Sequence, residues 1–132
     1  MTIFSKIIAG EIPSYKLAEN DKFFAFLDIF PVQKGHTLVI PKIEIDKIFD
    51  VPDEYLAELL VFAKPIAKAI ESIFSCNRVN IITVGLEVPH AHVHLIPTTG
   101  PNDVSLSRPK LKLSKEEFAE IQQQILSKME EM

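Results

Sequence analysis

The stretch VPHAHVHLIP, residues 88–97, sets His90, His92 and His94 at alternate positions between Pro89 and Pro97. One other histidine, His36, completes the chain's complement of four. In an extended strand successive side chains point to opposite faces. The spacing therefore predicts three imidazoles on one face, with Ala91, Val93 and Leu95 forming an apolar face suited to packing on a helix. Same-face neighbours stand about 7 Å apart at a rise of ~3.3 Å per residue, so one phosphate can meet two rings while the third orients a neighbour.

Three readings fit that spacing. The histidines can decorate a half-exposed strand, although an unbroken trio would leave several buried polar groups in need of partners. They can hold a metal, since His-x-His pairs on strands chelate, although no cysteine lies nearby and Glu87 is the adjacent carboxylate. They can also work on a phosphate. A neutral imidazole attacks phosphorus while protonated neighbours offset the developing negative charge, and titration near neutrality lets one cluster hold both forms. Spacing tilts toward the phosphate reading without removing the metal.

Outward from the histidines, RVNIITVG (78–85) reads as a strand from its β-branched content. The turn formers of TTGPNDVSLSRPK (98–110) read as a loop. The longest helical signal is IDKIFDVPDEYLAELLVFAKPIAKAIESIF (45–74), whose apolar stripe is Leu56, Leu59, Leu60, Ala63, Ile66, Ala67, Ile70 and Phe74. Pro52 suits its first turn, and Pro65 is expected to kink or tighten it. Toward the N-terminus, SYKLAEN (14–20), FFAFLDI (23–29) and HTLVIP (36–41) read as three strands. Asn20-Asp21 forms the turn between the first two. Phe4, Ile7 and Ile8 mark a short helix over about 3–9, and Ser114 with Glu117 forms a capping box opening a last helix. The expected fold class is α+β: an antiparallel sheet of about five strands, one long helix, a short N-terminal helix and a C-terminal helix. We expect one domain over residues 1–132, with a core over about 3–100 and a tail helix over about 114–131.

Of the 132 residues, 47% are hydrophobic and 24% charged, the balance of a globular chain. A net charge of −4 argues against broad attraction to nucleic-acid backbone, while a local pocket can still take a small anion. Cys76 is the single cysteine, so no intrachain disulfide forms and a reducing, cytoplasmic setting is expected. No stretch has the roughly 18 apolar residues of a membrane span, and the N-terminus does not read as a signal peptide.

The sequence His90-Ala91-His92-Val93-His94-Leu95-Ile96 matches in full the His-φ-His-φ-His-φ-φ hallmark, φ being apolar, of the histidine triad family of nucleotidyl hydrolases and transferases. IPSYKLAE, AFLDIFP and GHTLVIPK stand in the order of that family's N-terminal half, so the chain resembles it from about residue 3 to 97. The resemblance implies a two-step mechanism through a covalent nucleotidyl-histidine and a purine nucleotide as ligand. It implies no cofactor, no nucleic-acid partner, since the nucleic-acid branch adds a zinc finger absent here, and a homodimer. It makes His92 the nucleophile, His94 and His36 the lining of the α-phosphate site, and the backbone carbonyl of His90 the group that orients His92. Asp28 matches the carboxylate that accepts hydrogen bonds from the ribose hydroxyls. Ile3, Phe4, Ile7, Ile12, Phe26 and Ile29 match the positions that sandwich the purine; each of these apolar residues also fits ordinary core.

The match breaks at one place. Many members carry Gly-Gln-x-Val before the triad, where this chain has Gly85-Leu86-Glu87-Val88. Leucine cannot donate a hydrogen bond to a leaving-group oxygen, and loss of one oriented donor costs of order 10²–10³ in rate. Glu87 places a negative charge where a polyphosphate leaving group would pass. The expectation is a preference for amine leaving groups, as in nucleoside 5′-phosphoramidates, with a dinucleoside polyphosphate hydrolase or a nucleotide-binding module of little turnover as the alternatives. Some relatives hold a structural zinc through N-terminal cysteines; with Ser5 there and no cysteine nearby, no zinc is expected.

Overall fold

A computed structural model describes residues 1–132. The elements, in chain order, are α1 (Ile3–Ile8), β1 (Lys16–Glu19), β2 (Phe23–Leu27), β3 (Thr37–Pro41), α2 (Asp53–Ile73), β4 (Arg78–Ile82), β5 (Val93–Thr98) and α3 (Lys115–Glu130), with 3-10 turns at Ile48–Asp50 and Pro101–Val104. The five strands form one antiparallel sheet in the order β1-β2-β3-β5-β4, the expected α+β architecture. No helix is long and apolar enough to cross a membrane.

Local chemistry accounts for the boundaries. The Asn20 carboxamide oxygen accepts the backbone N–H groups of Lys22 and Phe23 at 2.9 and 2.8 Å, closing the β1–β2 turn. Ser114 and Glu117 make the reciprocal bonds of a capping box at the start of α3. Pro52 caps α2 from outside, and α2 runs through Pro65 as one 21-residue helix. Both Pro65 and Val61, whose carbonyl loses its partner to the proline ring, lie on the exposed side, where water can satisfy it. The buried stripe of α2 is Leu59, Ala63, Ile66, Ala69 and Ile70; Leu60 instead points outward and is 59% exposed. Strand β5 begins only at Val93, so of the three closely spaced histidines His94 alone stands in a strand.

The sheet is covered on both faces. One face brings Leu17, Phe23, Ala25, Leu27, Val39, Val93 and Leu95 against α2 and α3 in a single core that also holds Phe118, Ile121 and Ile125. Each fully buried isoleucine there, such as Ile66 or Ile70, contributes about 2 kcal/mol. The alternate residues Phe24, Phe26, Leu38 and Ile40 face the other way, against Phe4 and Ile7 of α1. Because α1 is only six residues long, it covers part of that face and leaves the remainder open.

Candidate active site

Sheet register builds the floor of that opening. Phe26 pairs with Leu38, and Leu38 pairs with His94, so three strands place these side chains in one row. The β2–β3 ladder continues past its last strand pair: the Asp28 N–H donates to the His36 carbonyl at 3.0 Å, putting both residues on the same face one step farther on. Gly35 makes this entry possible. Its φ is +92°, and a Cβ at that position would lie 2.7 Å from the Phe74 ring at the end of α2.

Together these residues line a cavity of about 490 Å³. Its walls and floor include Ile3, Phe4, Ile7, Phe26, Asp28, Ile29, His36, Glu87, Val88, His92 and His94, all singled out in the sequence. Ile3 and Ile29 are half exposed, as open walls are, whereas Phe4, Ile7 and Phe26 are buried. Ile12 does not line the cavity; the chain turns at Gly10 and Ile12 packs behind the Phe4 cluster. The His90 ring is also outside. It lies in irregular backbone before β5 and packs edge-on against the Phe4 ring at a centroid distance of 5.8 Å, on the same side as His92 but not at the cavity surface. His36 takes the third place instead. Its ring centroid is 5.1 Å from that of His94, which is 5.1 Å from that of His92. The lining also includes residues the sequence did not single out: Phe30, Leu38, Val84, Leu106, Ser107 and Lys110. Leu38 was legible by alternation from His36. The other positions follow from where irregular loops return.

Backbone partners determine where each ring carries its proton. A carbonyl can only accept, so His92 Nδ1, 2.7 Å from the His90 carbonyl oxygen, bears hydrogen and leaves Nε2 with a lone pair. An amide N–H can only donate, so His36 Nδ1 accepts from Val32 at 3.1 Å and its proton sits on Nε2. That Nε2–H faces His94 Nδ1 at 2.9 Å, which places the His94 proton on Nε2. The cavity thus receives a lone pair from His92 and an N–H from His94. His90 donates from Nε2 to the Pro41 carbonyl at 2.9 Å, and its Nδ1 accepts from the Thr2 hydroxyl at 2.9 Å. Thr2 is held in turn by Glu44, which accepts the Thr2 N–H and the Ser5 hydroxyl, each at 2.7 Å. Residue 90 is therefore clamped on both sides of its ring, and the clamp fixes the carbonyl that orients His92. Phe4 closes the site edge-on to His92, at a centroid distance of 4.9 Å.

Asp28, His36 and His94 bring one ligand atom each within 4.8 Å of one another. Their bonding opposes a metal. Coordination through His36 Nε2 would move its proton to Nδ1, directly against the Val32 N–H. The contact of His36 Nε2 with Asp28 Oδ2, at 3.4 Å, is satisfied without an ion.

Residues 9–100 match the family described as HIT domain. The chain belongs to the histidine triad family. It is 37% identical over 130 residues to an adenosine 5'-monophosphoramidase of Saccharomyces cerevisiae, covering 97% of this chain and 82% of the relative. It is 38% identical over 131 residues to an adenosine 5'-monophosphoramidase of Schizosaccharomyces pombe, covering 96% and 97%. Its structure resembles that of a hypothetical histidine triad nucleotide-binding protein from Sulfolobus tokodaii, with a TM-score of 0.84, 31% identity and coverage of 97% of this chain and 91% of that one.

Within this histidine triad site the charge state differs from the sequence expectation of protonated neighbours. Burial, with the Lys110 charge second, holds His36 down at about 4, and burial with the adjacent rings holds His94 down at about 4. Both are neutral at pH 7 and offer hydrogen-bond donors, not cations. Burial also lowers His90. An unfolded chain takes up protons at these positions below about pH 6.5, whereas the folded one resists until about pH 4. Stability must therefore fall as pH drops from 6.5 toward 5.5, above the range in which the carboxylates titrate. Urea midpoints measured at pH 7.0, 5.5 and 4.5 are expected to decline in that order. Unchanged midpoints, with the His36 and His94 ring resonances moving to imidazolium positions near pH 6.5, would contradict these assignments.

Proposed function

We propose that the chain hydrolyses purine nucleoside 5′-phosphoramidates at the α-phosphate through a covalent nucleotidyl-histidine. The observation that carries this reading is the pairing, in one cavity, of the His92 Nε2 lone pair with the His94 Nε2–H. The lone pair attacks phosphorus, the bond from phosphorus to the leaving amine breaks, and the amine departs with a proton taken up from solvent. The His94 N–H bonds a non-bridging oxygen as charge develops there. Water then attacks the phosphorus, breaks its bond to Nε2 and releases the nucleoside monophosphate. Asp28 takes the ribose hydroxyls, and the wall of Ile3, Phe4, Ile7, Phe26 and Ile29 takes the purine. The names of the two yeast relatives support the amidate as substrate.

Leu86, 88% exposed, and Glu87, also exposed, stand at the mouth of the cavity and supply no oriented donor for a polyphosphate leaving group. The expected result is a higher kcat/KM for adenosine 5′-phosphoramidate than for diadenosine polyphosphates, abolished in both cases by His92→Ala. Greater efficiency on the polyphosphates would reverse the leaving-group assignment. Turnover that persists in His92→Ala would remove the covalent mechanism.

The reading treats residues 1–132 as one unit, supported by the shared core that joins α3 to the sheet and α2. It places the chain in a reducing, cytoplasmic setting, supported by the free Cys76. It also makes the protein a homodimer. β4 is an edge strand whose Ile81 is exposed, and α2 exposes Leu60 and Val61. An unpaired edge with apolar neighbours favours strand-to-strand association. Light scattering during size-exclusion chromatography is expected to give twice the chain mass; elution at the mass of a single chain would contradict the dimer.

A further inference from the structure

We infer that Lys110, on the loop after β5, binds an anionic oxygen of the nucleotide held in the cavity. The inference rests on the proposed function, and concerns a residue that the histidine motif does not contain.

The cavity's charge balance motivates it. Its charged lining residues are Asp28, Glu87 and Lys110, so a phosphate entering meets two carboxylates and a single ammonium. His36 and His94, held neutral by burial, add nothing to that positive charge. Hydrogen bonds from neutral rings orient a phosphate, but they do not offset the repulsion of two nearby carboxylates as a cation does.

Loop geometry brings the lysine to that place. The Leu111 N–H donates to the Pro31 carbonyl at 2.8 Å, and Arg108 reaches Gln33 at 3.5 Å and Asp103 at 3.6 Å. Both Pro31 and Gln33 belong to the connection between Asp28 and His36. Lys110 lies between these two anchors, so it is tied to the same backbone segment that carries the phosphate-facing residues. Its ammonium has no carboxylate partner anywhere in the protein and rests on the carbonyl of Leu106 in its own loop. Such a contact is easily exchanged for an anionic oxygen. The charge of Lys110 already acts on both His36 and His94, which places it beside the proposed phosphate position.

Two oxygens are candidates: a non-bridging oxygen of the α-phosphate, or a carboxylate on the leaving amine. Calorimetric binding of AMP and adenosine to the full chain, with Lys110→Gln and Lys110→Arg, tests the inference and separates them. At an exposed rim the charge-assisted contact is worth about a tenfold change in affinity. For the α-phosphate, Lys110→Gln weakens AMP about tenfold and leaves adenosine unchanged, Lys110→Arg restores AMP binding, and added salt narrows the difference. For the leaving group, AMP binding is retained. In that case kcat/KM falls about tenfold more for an amidate whose amine carries a carboxylate, such as N-adenylyl glycine, than for the unsubstituted amidate. Equal affinities and equal kcat/KM ratios in wild type and Lys110→Gln overturn the inference, as does equal weakening of AMP and adenosine, which marks a structural role. A wild type that binds neither ligand contradicts the functional reading and this inference with it. A wild type that binds AMP, beside a Lys110→Gln variant unchanged in both AMP affinity and the ratio of kcat/KM values, contradicts only the inference.

Discussion

The hydrogen bond from His92 Nδ1 to the His90 carbonyl is the constraint on which the rest of the site depends. A backbone carbonyl has no hydrogen to offer, so this contact settles the tautomer without help from a carboxylate. The same rule operates in the opposite sense at His36, where a backbone N–H forces Nδ1 to accept. Two backbone groups of opposite polarity therefore leave a nucleophilic nitrogen and a donor N–H facing the same cavity. A side-chain partner could reverse its role with pH. These backbone partners cannot, and burial keeps the rings of His36 and His94 neutral through the physiological range.

The fold contributes register and support. Pairing of Phe26, Leu38 and His94 across three strands sets an apolar floor beside one imidazole, and the Asp28–His36 continuation adds the polar end. On the opposite face the same strands carry the main core against α2 and α3, so displacement of a strand would disturb packing and site together. Thr2, Ser5 and Glu44 extend this support to the N-terminal segment by holding the ring of His90. The residue whose carbonyl orients the His92 ring is thus anchored through its own side chain to two other parts of the chain.

Much of this architecture was legible in the sequence because periodicity reports burial. The alternating and doubly apolar runs of β2 and β3, the stripe of α2 and the capping box of α3 all correspond to elements in the structure. Where the reading failed, a local pattern met a tertiary constraint. The alternation of His90, His92 and His94 resembles a strand, yet residues 90–92 make contacts to Ile45, Pro41 and Thr2 in place of a ladder. Leu60 fits the helical stripe but falls beyond its buried edge. Protonated neighbours were expected from the ordinary pKa of histidine, and burial, which no single sequence displays, overrides that value. Lys110 had no periodic signal at all, since its position is set by two anchors on a distant connection.

The most direct measurement of the central claim is the tautomeric state of each histidine, read from long-range nitrogen–proton NMR correlations at pH 7. The account predicts His92 protonated on Nδ1, with His36, His90 and His94 protonated on Nε2. Observation of His92 protonated on Nε2, or of His36 and His94 as imidazolium, would contradict it.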